Sequence, residues 1–230
     1  RMDKNMDTHL DTPVYYIEGR TDRAGNKIGS LLTELYAKSD SNFEELVFLC
    51  IGSDRITGDS LGPLIGHRLA KEHLNRCCIY GTLANPVHAL NLQETVESVK
   101  KEHPNSLTVA IDASLGSKKH QGFVTVGQGS LEPGLGVKKK LPPVGDISIT
   151  GIVNLSGAFE HFLLQTTRLS TVMELADAIV SGILVAHRQY FGTRRPSLLA
   201  FFHPEEERRR SLTKLTPLSA ESAAARPKGS

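Results

Sequence analysis

Two short, almost continuously apolar runs constrain the fold of this chain more than any other feature of its sequence. Residues 46–51 (LVFLCI) and 107–111 (LTVAI) are rich in β-forming side chains, and they end at Gly52 and Asp112 respectively. A strand that is apolar on both faces needs cover on both faces, as in a parallel sheet that lies between helices. The two runs therefore predict buried central strands of an α/β protein.

Helical patterns alternate with these strands along the chain. Four segments place apolar residues on one helical face: 26–37, the segment that begins at Pro63, 90–101 and 170–190. Three further segments are predicted strands: 79–83, 122–126 and 146–153. Such alternation predicts a three-layer α/β/α sandwich with a mostly parallel central sheet.

Composition divides the chain into a folded body and two ends. Residues 1–24 are predicted to be a flexible N-terminal segment, residues 25–192 the α/β domain, and residues 193–230 a disordered basic tail. The tail carries eight Lys/Arg against four Asp/Glu, which leaves the first 192 residues with a net charge of −2. Because the folded body is not basic, nucleic acid is not expected as a partner.

The cellular compartment can also be inferred from composition. No window approaches ~18 uninterrupted apolar residues, and the polar N-terminus lacks the apolar stretch of a secretory signal. The three cysteines fit neither a disulfide framework nor a zinc site, since Cys50 lies in an apolar run and Cys77 adjoins Cys78. These features predict a cytoplasmic protein in a reducing compartment, with no membrane partner.

Two predicted loops carry carboxylates at the points where strands leave the core. The first loop follows residues 46–51 and contains Ser53, Asp54 and Asp59, and the second begins at Asp112. If the two strands are neighbours, their carboxyl ends meet at one edge of the sheet and the carboxylates converge. Two close carboxylates share one proton and provide both a base and an acid, as in aspartic peptide hydrolysis.

Other roles for the same aspartates stay open from the residues alone. Asp59 could cap the helix that follows it, and Asp112 could stabilise a tight turn. The pair could also hold a divalent metal, although a transition-metal site usually includes a histidine. Cys50 is not expected to be a nucleophile, because a thiol inside a buried strand is usually inert.

Three motifs resemble those of the bacterial spore germination protease, an atypical aspartic endopeptidase that degrades small acid-soluble spore proteins. Residues 57–63 (TGDSLGP) resemble its TPDALGP segment, residues 111–113 (IDA) its second aspartate motif, and residues 133–137 (PGLGV) its Pro-Gly-x-Gly-Val loop. The resemblance is closest to the shorter sporulation proteins related to that protease, and more distant to hydrogenase maturation endopeptidases. It spans residues 46–190, most of the predicted domain.

The resemblance implies a peptide hydrolase that acts in sporulation or germination, with Asp59 and Asp112 in the places of the two protease aspartates. The expected substrate is a peptide or protein, with small acid-soluble spore proteins as the first candidate, in the forespore or mother-cell cytoplasm. Residues expected to bind the substrate are Ser53, Asp54, Gly134 and Gly136. The alternative is a non-catalytic sporulation factor that binds a peptide or protein partner through the same pocket.

The chain departs from the related families in three respects. Ser53 stands where the germination protease has an asparagine, and this chain is much shorter than the protease. Hydrogenase maturation enzymes use a downstream histidine with two acidic residues to recognise nickel, but this chain has no histidine between Gln121 and Glu160. Neither a metal nor another cofactor is therefore expected, and His88 is interpreted as a turn histidine after Pro86.

Overall fold

A computed structural model of the chain describes residues 13–39, 43–133 and 141–192. This described part contains six strands: β1 (Val14–Glu18), β2 (Glu45–Cys50), β3 (Cys77–Tyr80), β4 (Ser106–Gly116), β5 (Phe123–Gln128) and β6 (Ile147–Leu155). Its α-helices are α1 (Ala24–Lys38), α2 (Leu61–Leu69), α3 (Leu92–Glu102), α4 (Glu160–Gln165) and α5 (Leu169–Gly192). Two short 3-10 turns, Thr57–Ser60 and Lys118–His120, precede α2 and β5.

The six strands form one mixed sheet in the order β1-β5-β6-β4-β2-β3. The neighbours β6, β4, β2 and β3 pair in parallel, whereas β5 pairs antiparallel with both β1 and β6. Among the described strands, β5 alone therefore runs against the others. Residues 117–122, which link β4 to β5, are too few for a crossover helix, so the chain returns in the opposite direction. The predicted mostly parallel α/β sheet is confirmed.

Helices cover both faces of the sheet and create two apolar cores. Phe48 and Cys50 of β2 face the larger core with α1, α2 and α5, whereas Leu49 and Ile51 face the smaller core with α3. Side chains of successive strand residues point to opposite faces, so a strand between two helical layers must be apolar at nearly every position. This alternation explains the continuous apolar run in β2 and confirms the three layers.

Helix α5 is long and apolar enough to cross a membrane by length and composition. More than half of its apolar stretch is buried inside the fold, and much of this buried part packs against α1. Glycines allow this close packing: a Cβ at Gly29 would lie 2.5 Å from Val185, and one at Gly182 would overlap Ile28. The apolar surface of α5 is thus used in the core.

The folded domain begins earlier than predicted. The predicted flexible segment 1–24 contains β1, which pairs along its length with β5 at an edge of the sheet. Tyr15 and Tyr16 remain exposed in this edge strand, and Ile17 is the one buried residue of the five. A single buried position leaves no period-2 pattern to detect, which is why β1 was not predicted.

Other boundaries differ by a few residues. Helix α2 begins at Leu61, so Pro63 is its third residue, and α4 was not predicted at all. The predicted basic tail 193–230 and residues 134–140, which include most of the PGLGV motif, lie outside the described residues.

Candidate active site

Asp112 lies inside β4, and not just beyond the end of a strand as predicted. Strand β4 continues to Gly116 because residues 109–116 pair with β6, and Asp112 stands opposite Thr150. The Asp112 side chain is 6% exposed. A carboxyl group is thereby fixed on the face of a central strand, next to the carboxyl end of β2.

A tightly packed loop holds Asp59 at the carboxyl end of β2. Asp59 lies in the 3-10 turn Thr57–Ser60, and the Ser53 N–H donates to its carbonyl oxygen at 3.1 Å. Gly52 has a φ of +140°, and a Cβ there would overlap the same carbonyl. A Cβ at Gly62 would likewise overlap the carbonyl of Ile51. The backbone contacts at the two glycines draw the loop back over the strand end, which leaves Asp59 half-buried.

The two aspartates affect each other electrostatically. Burial raises the pKa of Asp59 to about 6, against the lowering effects of a Ser53 backbone hydrogen bond and the charges of His88 and His161. Burial raises the pKa of Asp112 well above its usual range, and the charge of Asp59 raises it further. The Ala113 N–H donates to Asp112 Oδ1 at 2.7 Å, which opposes this rise.

These shifts place the two carboxyls in different electrostatic surroundings. Asp59 is largely ionised above about pH 6, whereas burial and the charge of Asp59 both favour the protonated form of Asp112. Two carboxyls whose environments separate their pKa values are suited to different roles, one as a base and one as an acid. The structure thus brings the two predicted residues close enough to interact.

Two histidines near Asp59 were not predicted to belong to the site. His161 lies in α4, which is anchored where Asn154 Nδ2 donates to the Leu163 carbonyl at 2.8 Å. His88 lies in the segment after β3, and its N–H donates to Asn91 Oδ1 at 2.8 Å. His161 is the residue just past the histidine-free window at 121–160. His161 comes soon after the carboxyl end of β6, and β6 lies beside β4. This position is the sequence signal that could have identified it.

The histidines do not gather the aspartates into a compact ligand set. Within residues 13–39, 43–133 and 141–192, one trio of His, Cys, Asp or Glu residues has all its ligand atoms within 4.8 Å of one another. That trio is Glu45, Cys78 and His103, which excludes both aspartates. His88 and His161 therefore influence Asp59 through their charge.

The remaining predicted site residues lie in different surroundings. Ser53 is half-buried and its Oγ accepts a hydrogen bond from the Arg55 N–H at 3.3 Å, while Asp54 is exposed. Gly134 and Gly136 fall outside the described residues. The substrate-binding role of these four residues stays a prediction. Cys50 is fully buried and burial raises its pKa well above the usual range, as expected for an inert thiol.

A row of hydroxyl groups extends from the same face of β4 as Asp112. Ser114, two residues further along the strand, donates to Thr150 Oγ1 at 3.1 Å, and Thr150 is 2.6 Å from Thr125 Oγ1. Because residues i and i+2 of a strand share a face, this row and Asp112 line one side of the sheet. It offers polar partners to a ligand that reaches Asp112.

Exposed apolar side chains occur in the two segments that carry the histidines. Leu90 is 92% exposed, Phe159 is 83% exposed and Phe162 is 60% exposed. Phe159 has a φ of +65°, a left-handed conformation that is unusual for an aromatic residue.

The fold is that of an α/β protein with a mostly parallel sheet, in which Asp59 and Asp112 lie near the carboxyl end of β2. The chain belongs to the family described as protein of unknown function DUF1256, which it matches over residues 18–182. That span includes both aspartates, His88 and His161.

Proteins similar to this chain include a bacterial relative and a solved structure. The uncharacterized protein YyaC of Bacillus subtilis is 43% identical over 173 residues, which cover 75% of this chain and 83% of the relative. A crystal structure of the NiFe hydrogenase maturation protease HycI from Thermococcus kodakarensis matches with a TM-score of 0.45 and 15% identity. That match covers 69% of this chain and 99% of the other.

Proposed function

We propose that this protein is a peptide hydrolase in which Asp59 and Asp112 share one proton and act together on the scissile bond. The observation that supports the proposal is the raised pKa of two interacting aspartates, to about 6 for Asp59 and well above the usual range for Asp112. One ionised and one protonated carboxyl are what water-mediated hydrolysis of an amide requires.

The reaction follows from these protonation states. Ionised Asp59 takes a proton from water while the water oxygen bonds to the peptide carbonyl carbon, and Asp112 gives its proton to the carbonyl oxygen. The resulting diol then collapses: the C–N bond breaks, Asp59 passes its proton to the leaving nitrogen, and Asp112 recovers a proton from a diol hydroxyl. Both residues return to their starting states, so one water is consumed for each bond.

The substrate that we propose is a polypeptide of the sporulating or germinating cell, with small acid-soluble spore proteins as the first candidate. The support for this finer proposal is the resemblance of residues 57–63, 111–113 and 133–137 to the germination protease motifs. Incubation of purified protein with these spore proteins, followed by mass spectrometry of the products, tests the substrate separately from the chemistry.

A cleavage assay on a peptide library tests the chemistry itself. We expect cleavage by the native protein and a loss of at least about 100-fold in Asp59→Asn and Asp112→Asn, since general acid or base catalysis contributes about that much. Asp22→Asn, at an exposed aspartate in the link between β1 and α1, is the matched control and should retain full activity. If the native protein cleaves nothing between acid and neutral pH, the hydrolase proposal is wrong.

A second candidate function is peptide binding without cleavage. The observation in its favour is the exposure of Leu90, Phe159 and Phe162 in the segments that carry His88 and His161. Asp59→Asn separates the two candidates, because it removes the ionisable group and keeps nearly the same shape. Peptide binding by an inactive native protein, unchanged in this variant and lost in Phe162→Ala, would favour the binding function.

A further inference from the structure

Three potential metal ligands converge at the opposite end of the sheet from the aspartates. Glu45 is the first residue of β2, Cys78 is the second residue of β3, and His103 lies between α3 and β4. Their ligand atoms all lie within 4.8 Å of one another. Three separate segments of the chain thus supply a sulfur, a nitrogen and a carboxylate oxygen to one small volume.

The contacts within this trio are already polar and close. His103 Nδ1 lies 2.8 Å from Glu45 Oε1, and the Cys78 thiol donates to Glu45 Oε2 at 3.6 Å. The His103 side chain is 7% exposed and that of Glu45 is 18% exposed. The three potential ligands are therefore largely removed from bulk water, but a metal ion can still reach them from the side of Glu45.

A neighbouring tyrosine holds the histidine ring in a suitable orientation. Tyr80 Oη lies 3.0 Å from His103 Nε2 and donates to Glu102 Oε2 at 3.2 Å. Because the Tyr80 hydroxyl has one hydrogen, which goes to Glu102, its oxygen accepts from His103 Nε2–H. In a neutral imidazole this leaves the lone pair on Nδ1, which faces Glu45 and Cys78. Metal-binding histidines are usually oriented by such a second hydrogen bond.

We propose that Glu45, Cys78 and His103 bind one divalent transition-metal ion of the zinc class, with solvent as the fourth ligand. Thiolate, imidazole and carboxylate are the ligands that Zn²⁺ takes in proteins, with bonds of about 2.0–2.3 Å. A tetrahedral arrangement with those bonds separates ligand atoms by roughly 3.3–3.7 Å. The contacts of 2.8 and 3.6 Å that Glu45 makes with His103 and Cys78 differ from those separations by less than one ångström.

The adjacent cysteine provides a matched control. Cys77 packs against the larger core with Ile79, on the opposite face of β3 from Cys78 and Tyr80. Cys77→Ser therefore alters a thiol one position away without changing the proposed ligand set.

Cobalt and zinc binding by the purified full chain tests the proposal. After treatment with a chelator, we expect one equivalent of Co²⁺ to produce a thiolate-to-cobalt absorption band, and Zn²⁺ to abolish it. Cys78→Ser should lose the band and weaken binding at least about 100-fold, since a ligand is removed. Cys77→Ser and Asp59→Asn should bind Co²⁺ with the same band and affinity as the native protein, which separates this site from Asp59 and Asp112.

A second measurement needs no substitution. Zn²⁺ should protect Cys78 from alkylation, as read by mass spectrometry of the native protein with and without the ion, and should leave the alkylation of Cys77 unchanged. Three results would overturn the proposal: no thiolate band with Co²⁺, a band that persists in Cys78→Ser, or no slowing of Cys78 alkylation by Zn²⁺. Any of them would mean that the three residues only form hydrogen bonds with one another.

Discussion

At the scale of single residues, Asp59 and Asp112 differ in what surrounds them. Asp112 is fixed on a central strand and 6% exposed, and its nearby charge is another carboxylate. Asp59 lies on a turn and is close to His88 and His161, whose charges favour its ionised form. The same side chain thus has two different proton affinities, which is the condition for an acid and a base of one residue type.

The pH dependence of cleavage should reflect this difference. We expect kcat/KM to fall about tenfold per pH unit below about pH 6, because Asp59 becomes protonated there and can no longer act as the base. Activity should also fall at the higher pH where Asp112 loses its proton. Initial rates across the pH range measure both limbs, and a rate that rises continuously as the pH is lowered to 4 would contradict the assignment.

The same carboxyls should reduce stability as the pH rises. Their folded-state pKa values are above the unfolded value of 3.8, so the folded protein binds more protons and its free energy of unfolding decreases as pH rises from about 4. For Asp59 the loss is complete above about pH 6 and amounts to at most about 3 kcal/mol. Asp112 continues the loss to higher pH.

Urea denaturation of the native protein and of the double variant Asp59→Asn/Asp112→Asn measures this contribution. Between pH 4 and pH 7, the free energy of unfolding should decrease more in the native protein than in the variant. A difference that does not change with pH would mean that the two carboxyls are not buried as described.

Sequence reasoning identified the aspartates but not the residues around them. Asp59 and Asp112 follow the ends of apolar runs, so a local pattern is enough to find them. His161 is 102 positions from Asp59 in sequence, and its proximity depends on how α4 packs over the turn at Thr57–Ser60. Helix α4 is six residues long, too short for a hydrophobic period to be recognised.

At the scale of elements, glycines shape the loop after β2 and the start of α2. Gly52, Gly58 and Gly62 each lie so close to another part of the backbone that an added Cβ would overlap it. At Gly58 the neighbouring segment is Leu164 of α4, the helix that carries His161. The loop and α4 therefore fix each other's position, and both affect the surroundings of Asp59.

Substitution at one of these glycines should disturb the site and the stability of the fold. We expect Gly62→Ala to lower the free energy of unfolding by about 2–4 kcal/mol, because its Cβ would overlap the Ile51 carbonyl on a rigid strand. Gly157→Ala is the control, since a Cβ there meets nothing within 4 Å. Chemical denaturation compares the two, and equal stability would mean that the loop can move away.

Strand and helix assignments from sequence succeeded where an element buries a whole face. A recognisable hydrophobic period in the sequence marks strands β2, β4 and β6 and helices α1, α3 and α5. β1 buries one residue of five, and the carboxyl-terminal half of β4 carries the polar Asp112 and Ser114. Pairing with a neighbour fixes these segments as strands, and such pairing is not encoded in their own composition.

At the scale of the whole molecule, the two ends of the domain pack against each other. Helix α1 near the amino end and helix α5 at the carboxyl end form the most extensive contact between helices in the described structure. Fold class was predictable because alternation of strands and helices restricts the topologies. A strand was predicted at residues 122–126, where β5 lies, but its reversed direction was not, since that direction depends on the length of one connection.

Removal of α5 should therefore prevent folding. A chain that ends at residue 168 would leave Ile28 and Leu32 of α1, both fully buried, exposed to water. We expect it to lack cooperative unfolding and to aggregate, as judged by circular dichroism and gel filtration. A chain that ends at residue 192 should unfold cooperatively like the full chain, which controls for the loss of the basic tail.

The contact between α1 and α5 also sets when the protein can become active during its synthesis. Helix α1 emerges from the ribosome early, but its apolar face is covered by α5, which is formed by residues 169–192. After α1 ends at Lys38, the chain must grow by 154 residues to complete α5 at Gly192 before the domain can close, at roughly 5–20 residues per second. A hydrolase built this way would complete its site only after nearly the whole domain has been translated, so nascent chains would not cleave their surroundings.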